Sequence, residues 1–132
     1  MTLVDTNVLL DVYKADPQWL QWSLEQLHRG RSGTGLATNM VVYAELAGHP
    51  AKPAHIDAFL DTLGIEVVDL TRVAAHLAGE AFRAYRQRGG AKTGVLPDFF
   101  IGAHAQALGC KLLTRDAGRY KAYFPRLKLI CP

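Results

Sequence analysis

Short apolar runs alternate along the chain with longer stretches of helical period, the pattern of an α/β domain built on a mainly parallel sheet. Thr2-Leu3-Val4-Asp5 predicts a first strand. A short helix with Val8, Leu9, Leu10 and Tyr13 follows it. Pro17 is expected to open a second helix, with Trp19, Leu20, Leu24 and Leu27 at helical spacing and Gly30 as its stop. Gly35 to Thr38 predicts a second strand, after which Asn39 caps a helix running to about Ala47. His49 to Pro53 reads as a loop before a helix ended by Gly64, and Ile65 to Val68 as a third strand. Thr71 to Arg88 is expected as the longest helix, with Val73, Leu77, Ala78, Ala81, Phe82 and Tyr85 on its inward side. Gly89 to Gly94 predicts a mobile connection. Pro97 stands at the favoured first position of a helix that Gly109 terminates. Leu112 to Thr114, a short helix near 117–123 and Leu127 to Ile130 complete the pattern. The expected fold is a three-layer α/β/α sandwich with four to five strands.

Composition narrows the class without changing that fold. The chain has 132 residues, 49% of them hydrophobic and 20% charged, which argues against disorder, collagen-like repeats and coiled coil. No repeat or linker divides it, so one domain over 1–132 is expected. Fifteen Lys and Arg against twelve Asp and Glu give +3, an excess that permits an anionic partner without requiring one. Cys110 and Cys131 are too few for a disulfide framework or a zinc site and suit a reducing compartment. No apolar run approaches the ~20 residues of a membrane span. The first strand begins at Met1, leaving no room for a signal peptide, so a cytoplasmic location is expected.

Four carboxylates occupy positions where a sequence built only for packing would place carbon. Asp5 ends the first strand, and Asp116 follows the fourth by two residues. Ligands in open parallel sheets bind beyond the carboxyl ends of strands. Glu45 shares a helical stripe with Val41, Val42 and Leu46, and Asp98 lines up with Ile101, Ala105 and Leu108. Neither stripe carries a Lys or Arg. Two carboxylates ~5 Å apart repel by roughly 3 kcal/mol at an effective dielectric of 20. A cluster of them persists around a divalent cation or with some acids protonated. Oxygen ligands alone select Mg²⁺ or Mn²⁺, which polarise a phosphoryl oxygen and activate water. Taken singly, each acid also has a structural role open to it: Asp5 and Asp116 as helix caps, Asp98 as a first-turn acid, Glu45 as a solvated side chain.

At four places in order the chain resembles the motifs of PIN-domain ribonucleases. These are Val4-Asp5-Thr6-Asn7-Val8-Leu9-Leu10, Tyr43-Ala44-Glu45-Leu46, Pro97 through Ala105, and Leu112-Leu113-Thr114-Arg115-Asp116. In length and compact ending it is similar to the VapC toxins of type II toxin–antitoxin systems. The resemblance implies a metal-dependent endoribonuclease, inhibited by a VapB-type antitoxin and forming a homodimer. It implies that Asp5, Glu45, Asp98 and Asp116 are the acidic quartet holding Mg²⁺ or Mn²⁺, with Asn7 and Thr114 in support. Arg115 beside that site, and Lys92 with Arg86 and Arg88 near the connection before Asp98, are candidates to contact RNA phosphates, with solvated surface charge as the alternative for each.

Other signals carry less. Gly89 to Thr93 lacks the Gly before Lys of a phosphate loop and follows a helix rather than a strand. The histidines lack zinc spacing, and His104 is expected at the surface. Asp57 and Asp61 are expected on a solvated face, Asp11 and Asp16 at the end of the first helix and in the turn after it. Trp19 and Trp22 are not expected to face the same core, so one is expected exposed. A receiver-type signalling module would need an acidic pair after the first strand, and a haloacid-dehalogenase-like phosphatase an Asp-x-Asp; Asp5-Thr6-Asn7 supplies neither. A PIN-like domain that binds RNA or a partner without cutting stays open, as does an RNA-processing nuclease outside a toxin–antitoxin pair.

Overall fold

The computed structural model describes residues 1–92 and 94–132. Thr93, in the expected mobile connection, lies outside the described residues. The chain runs β1 (Thr2–Val4), α1 (Thr6–Tyr13), α2 (Leu20–Ser32), β2 (Leu36–Asn39), α3 (Met40–Ala47), α4 (Pro53–Leu63), β3 (Ile65–Val68), α5 (Arg72–Gln87), α6 (Leu96–Leu108), β4 (Lys111–Leu113), α7 (Gly118–Tyr123) and β5 (Leu129–Ile130). The five strands form one sheet in the order β3-β2-β1-β4-β5, and every pairing is parallel. Helices cover both faces, which makes the three-layer α/β/α sandwich. Among the described residues no helix is long and apolar enough to cross a membrane.

Burial explains the continuous apolar strands: Leu3, Val4, Ala37, Leu112 and Leu113 are almost wholly inaccessible, as expected for a parallel sheet covered on both faces. The chain builds outward from β1 to β3 and then returns to β4 on the other side of β1. The order therefore reverses between β1 and β4, and a crevice opens there beyond the carboxyl ends of the strands. Register fixes which residues reach it. Val4 pairs with Leu113, so Asp5 and Thr114 emerge side by side.

Helix boundaries follow local chemistry. Asn39 caps α3 by accepting the Val42 N–H at 3.0 Å, and Thr71 caps α5 by accepting that of Ala74. Gly64 and Gly109 close α4 and α6 in the left-handed conformation that a side chain disfavours. The second helix starts at Leu20 rather than Pro17, because Asp16 takes the backbone N–H groups of Gln18 and Trp19 on one carboxylate oxygen and forms a turn first.

Several expectations need correction. Val73 is 64% exposed, since the inward stripe of α5 begins one residue later at Ala74. His104 is wholly buried, not at the surface. Its Nδ1 lies 3.1 Å from the Asn39 side-chain amide, while its Nε2 has no hydrogen-bond partner among the described residues. Because Asn39 presents its oxygen to Val42, its N–H₂ faces the ring, and His104 Nδ1 accepts. Burial holds the imidazole pKa below its ordinary value. Trp19 and Trp22 are both half-buried and meet edge to face at 6.1 Å, so neither is the exposed one.

Candidate active site

Asp5, Thr6, Asn7, Leu10, Glu45, Asp98, Asp116 and Tyr120 line one cleft of about 190 Å³ at the strand-order switch. The four sequence-derived carboxylates thus come from four separated parts of the chain to one place. Asp5 stands between β1 and α1, Glu45 in the last turn of α3, Asp98 in the first turn of α6, and Asp116 in the turn after β4. Asp116 is exposed, Glu45 and Asp98 are half-buried, and Asp5 is 4% exposed.

Asp5 is the structural centre of the site. One oxygen accepts the Thr6 N–H at 2.7 Å. The other accepts the Thr114 hydroxyl at 2.8 Å, the Tyr120 hydroxyl at 2.9 Å and the Asn7 amide at 3.3 Å. Burial pushes its pKa up to about 6, against the pull of those donors, and the neighbouring Asp98 charge pushes the same way. Burial likewise raises Asp98, with the Asp116 charge adding to the rise. The Tyr120 hydroxyl is held far above its ordinary range, first by burial and then by the carboxylates around it. Glu45 accepts the Thr6 hydroxyl at 2.6 Å.

Two features were not visible in the helical stripes. Arg119, at the start of α7, forms an ion pair with Asp98. Positions within one helix reveal only that helix's own charges, and this cation arrives from another. Tyr120 was missed because a tyrosine next to a helix start reads as ordinary core; its hydroxyl donates to Asp5 while its ring is buried. The capping alternatives also resolve. Asp5 does occupy the N-cap position of α1. Ala117 stands at that position for α7, with no side-chain cap, so the Asp116 carboxylate is not used in this way.

Arg115 is placed differently from the expectation of a free cation. Its guanidinium grips Asp11 with two hydrogen bonds, 2.6 and 2.9 Å, and lies 5.0 Å over the Trp19 ring. Asp11, in the last turn of α1 as expected but only 3% exposed, also accepts the Ser23 hydroxyl at 2.7 Å. The Arg115 backbone N–H donates to Asn7. This side chain is committed to tying the β4–α7 turn to α1 and α2. Arg86, Arg88 and Lys92 are exposed and outside the cleft lining; Arg86 lies over Phe82 and Arg88 over Tyr123.

A family model described as PIN domain matches residues 2–125. The chain belongs to the PIN domain family. No curated protein matches its sequence. Among solved structures it is similar to VapBC2 from Rickettsia felis bound to a DNA fragment from their promoter, with 23% identity, a TM-score of 0.72 and coverage of 98% of this chain and 97% of that one. It is also similar to VapBC-1 from nontypeable Haemophilus influenzae, at 19% identity and TM-score 0.73, and to DNA-bound VapBC from Salmonella typhimurium, at 19% and 0.72. Each of these covers 98% of this chain and 96% of the other. These likenesses show the same fold over 98% of the chain.

The donor set of the PIN cleft is chemically suited to a hard dication: it is all oxygen, with no His or Cys in the lining. Its arrangement is not closed. Among the described residues, no three Asp, Glu, His or Cys side chains gather tightly enough around one point to hold a metal ion. Asp5 is saturated by protein donors and Asp98 faces Arg119, so the acids share the cleft while three of them are engaged elsewhere.

Proposed function

We propose that this PIN domain is an endoribonuclease that hydrolyses RNA phosphodiester bonds with Mg²⁺ or Mn²⁺, acting as the VapC-type toxin of a pair with a VapB-type antitoxin and as a homodimer in the cytoplasm. The observation that carries the reading is the convergence of Asp5, Glu45, Asp98 and Asp116 on one cleft at the strand-order switch. The VapBC assemblies among the similar structures support the toxin and antitoxin part of it.

The ion would be held among Asp5, Glu45, Asp98 and Asp116, the four carboxylates that line the cleft. The dication, when bound, offsets phosphodiester charge and lowers the pKa of an attacking water. Thr6 holds the Glu45 carboxylate in place, and Thr114, Asn7 and Tyr120 hold Asp5. These fixed donors orient the acids before RNA arrives. Arg119 offsets the Asp98 charge through its ion pair and stands beside the cleft, where its guanidinium could also meet an RNA phosphate. Arg86, Arg88 and Lys92 are retained as exposed candidates for the RNA backbone, and Arg115 as a residue acting through its grip on Asp11.

Incubating the protein with labelled structured RNAs tests this reading. Cleavage is expected with Mg²⁺ or Mn²⁺ and not with EDTA, and Asp98→Asn is expected to lose roughly 100-fold. Equal cleavage by wild type and variant would contradict it. A second reading, a PIN domain that binds without cutting, is favoured by the Asp98–Arg119 pair and the open arrangement of the acids. It predicts RNA binding indifferent to the metal and no cleavage.

A further inference from the structure

Positive charge in this chain is concentrated at its end. Six of the fifteen basic residues, but one of the twelve acidic ones, follow position 110. Residues 1–110 are therefore slightly acidic, and the whole excess comes from the β4–α7–β5 segment. Two of those six, Arg115 and Arg119, are used in ion pairs. Lys111, Arg126 and Lys128 are not; they form no ion pair among the described residues, and all three are exposed. They nonetheless converge, lining one concavity of about 360 Å³ with Cys110, Gln106 and Leu127. No carboxylate contributes to that lining. Three uncompensated cations around an open hollow repel one another, so an anion placed among them is stabilised by all three.

The hollow lies at the opposite end of the sheet from the acidic cleft. Lys111 begins β4, and the Lys128 carbonyl accepts the Leu112 N–H at 3.0 Å, which ties it to the same strand end. β4, three residues long, lies between them, and along α6 the eleven residues from Asp98 at the cleft to Gly109 at the hollow span about 16 Å. The connection between them is α7. It starts with Arg119 at the cleft and returns the chain to Arg126, with Lys121 exposed on the way.

We propose that the Lys111–Arg126–Lys128 hollow is a second RNA-backbone site, holding phosphates a few nucleotides away from the bond in the acidic cleft. The proposal rests on the ribonuclease reading for the identity of the polyanion. Charge complementarity and continuity with Arg119 through α7 favour a strand already held in the cleft over a separate small anion. Substrates long enough to reach from cleft to hollow gain affinity that short ones do not. The cleft itself is lined by acids that repel a polyanion, so a remote basic contact supplies attraction that the cleft cannot.

The test compares wild type with the triple variant K111A/R126A/K128A, whose thermal midpoint should match wild type because all three side chains are exposed. Binding of a 5-nucleotide and a 25-nucleotide single-stranded RNA is followed by fluorescence anisotropy in EDTA across a salt series. Three lost phosphate contacts should reduce the slope of log K against log salt by about 2 for the 25-mer. Affinity for the 25-mer should fall about tenfold or more at low salt and that for the 5-mer less than twofold. An unchanged slope, or equal losses on both RNAs, overturns the proposal, as does tighter wild-type binding to duplex DNA than to the 25-mer. Failure of the nuclease reading is separate. A protein that cleaves nothing yet shows the slope change keeps this site, and one that cleaves with no slope change lacks it. A wild type that binds neither RNA in EDTA overturns this site, and the nuclease reading is then decided by cleavage with Mg²⁺ or Mn²⁺.

Discussion

Asp11 places a carboxylate in a position that is 3% exposed, and it survives there because Arg115 supplies two hydrogen bonds and Ser23 a third. Removing one partner of such a pair leaves an uncompensated charge, which costs far more than the pair itself contributes. Arg115→Ala is therefore expected to lower stability by about 3 kcal/mol in urea unfolding. A loss under 1 kcal/mol, with RNA affinity reduced instead, would return Arg115 to the role of a phosphate contact. Asp5 makes a different prediction. Its pKa of about 6, against an ordinary 3.8, means that ionising it costs more in the folded state than in the unfolded one. The stability associated with its neutral form is complete below about pH 4 and is lost as pH rises towards 6. Metal-free protein should thus gain thermal midpoint from this group as pH falls from 7 towards 5, and a midpoint falling over that interval in Asp5-dependent fashion would contradict the assignment. The identities of the four acids were legible because each broke an apolar pattern. The state of each was not, since Arg119 and Tyr120 reach them from an element whose placement no local spacing reveals.

At the scale of elements, the site depends on how closely α7 lies against α6. Gly102 makes that approach possible: a Cβ there would stand 2.6 Å from a Phe124 ring atom and 3.0 Å from a Tyr120 one. Both rings are buried and have nowhere to retreat. Gly102→Ala is expected to destabilise by roughly 1–3 kcal/mol through overpacking and to displace the helix carrying Arg119 and Tyr120. Equilibrium unfolding checks the first part, and a weakened response of stability to metal checks the second. A variant as stable as wild type would show that α7 can shift freely. Strands and helices were largely readable because their signals are local, such as Asn39 and Thr71 as caps and Gly64 and Gly109 as stops. His104 was misplaced for the opposite reason. Its helix is buried nearly all round from Ile101 to Ala105, so periodicity offers no polar face on which to put a histidine.

For the whole molecule, the parallel sheet orders two opposite electrostatic ends. Acids gather where the strands finish and bases where β4 and β5 begin. Arg119 partly neutralises the acidic end through Asp98, yet Asp98 and Asp116 still oppose each other. Asp116→Asn is expected to raise the thermal midpoint in EDTA by a few degrees, and no rise would mean that this repulsion is negligible. The basic end was not apparent from a net charge of +3, because that sum hides an acidic majority and a strongly basic ending.

A titration of Mn²⁺ into the metal-free protein, followed by electron paramagnetic resonance, tests most directly whether the four carboxylates share one metal site. Saturable binding is predicted for wild type, sharply weakened in both Asp98→Asn and Asp116→Asn, and accompanied by a rise in thermal midpoint in wild type alone. Wild-type protein that leaves all added Mn²⁺ free, or variants that bind it as tightly as wild type, would contradict the claim that these carboxylates form one metal site.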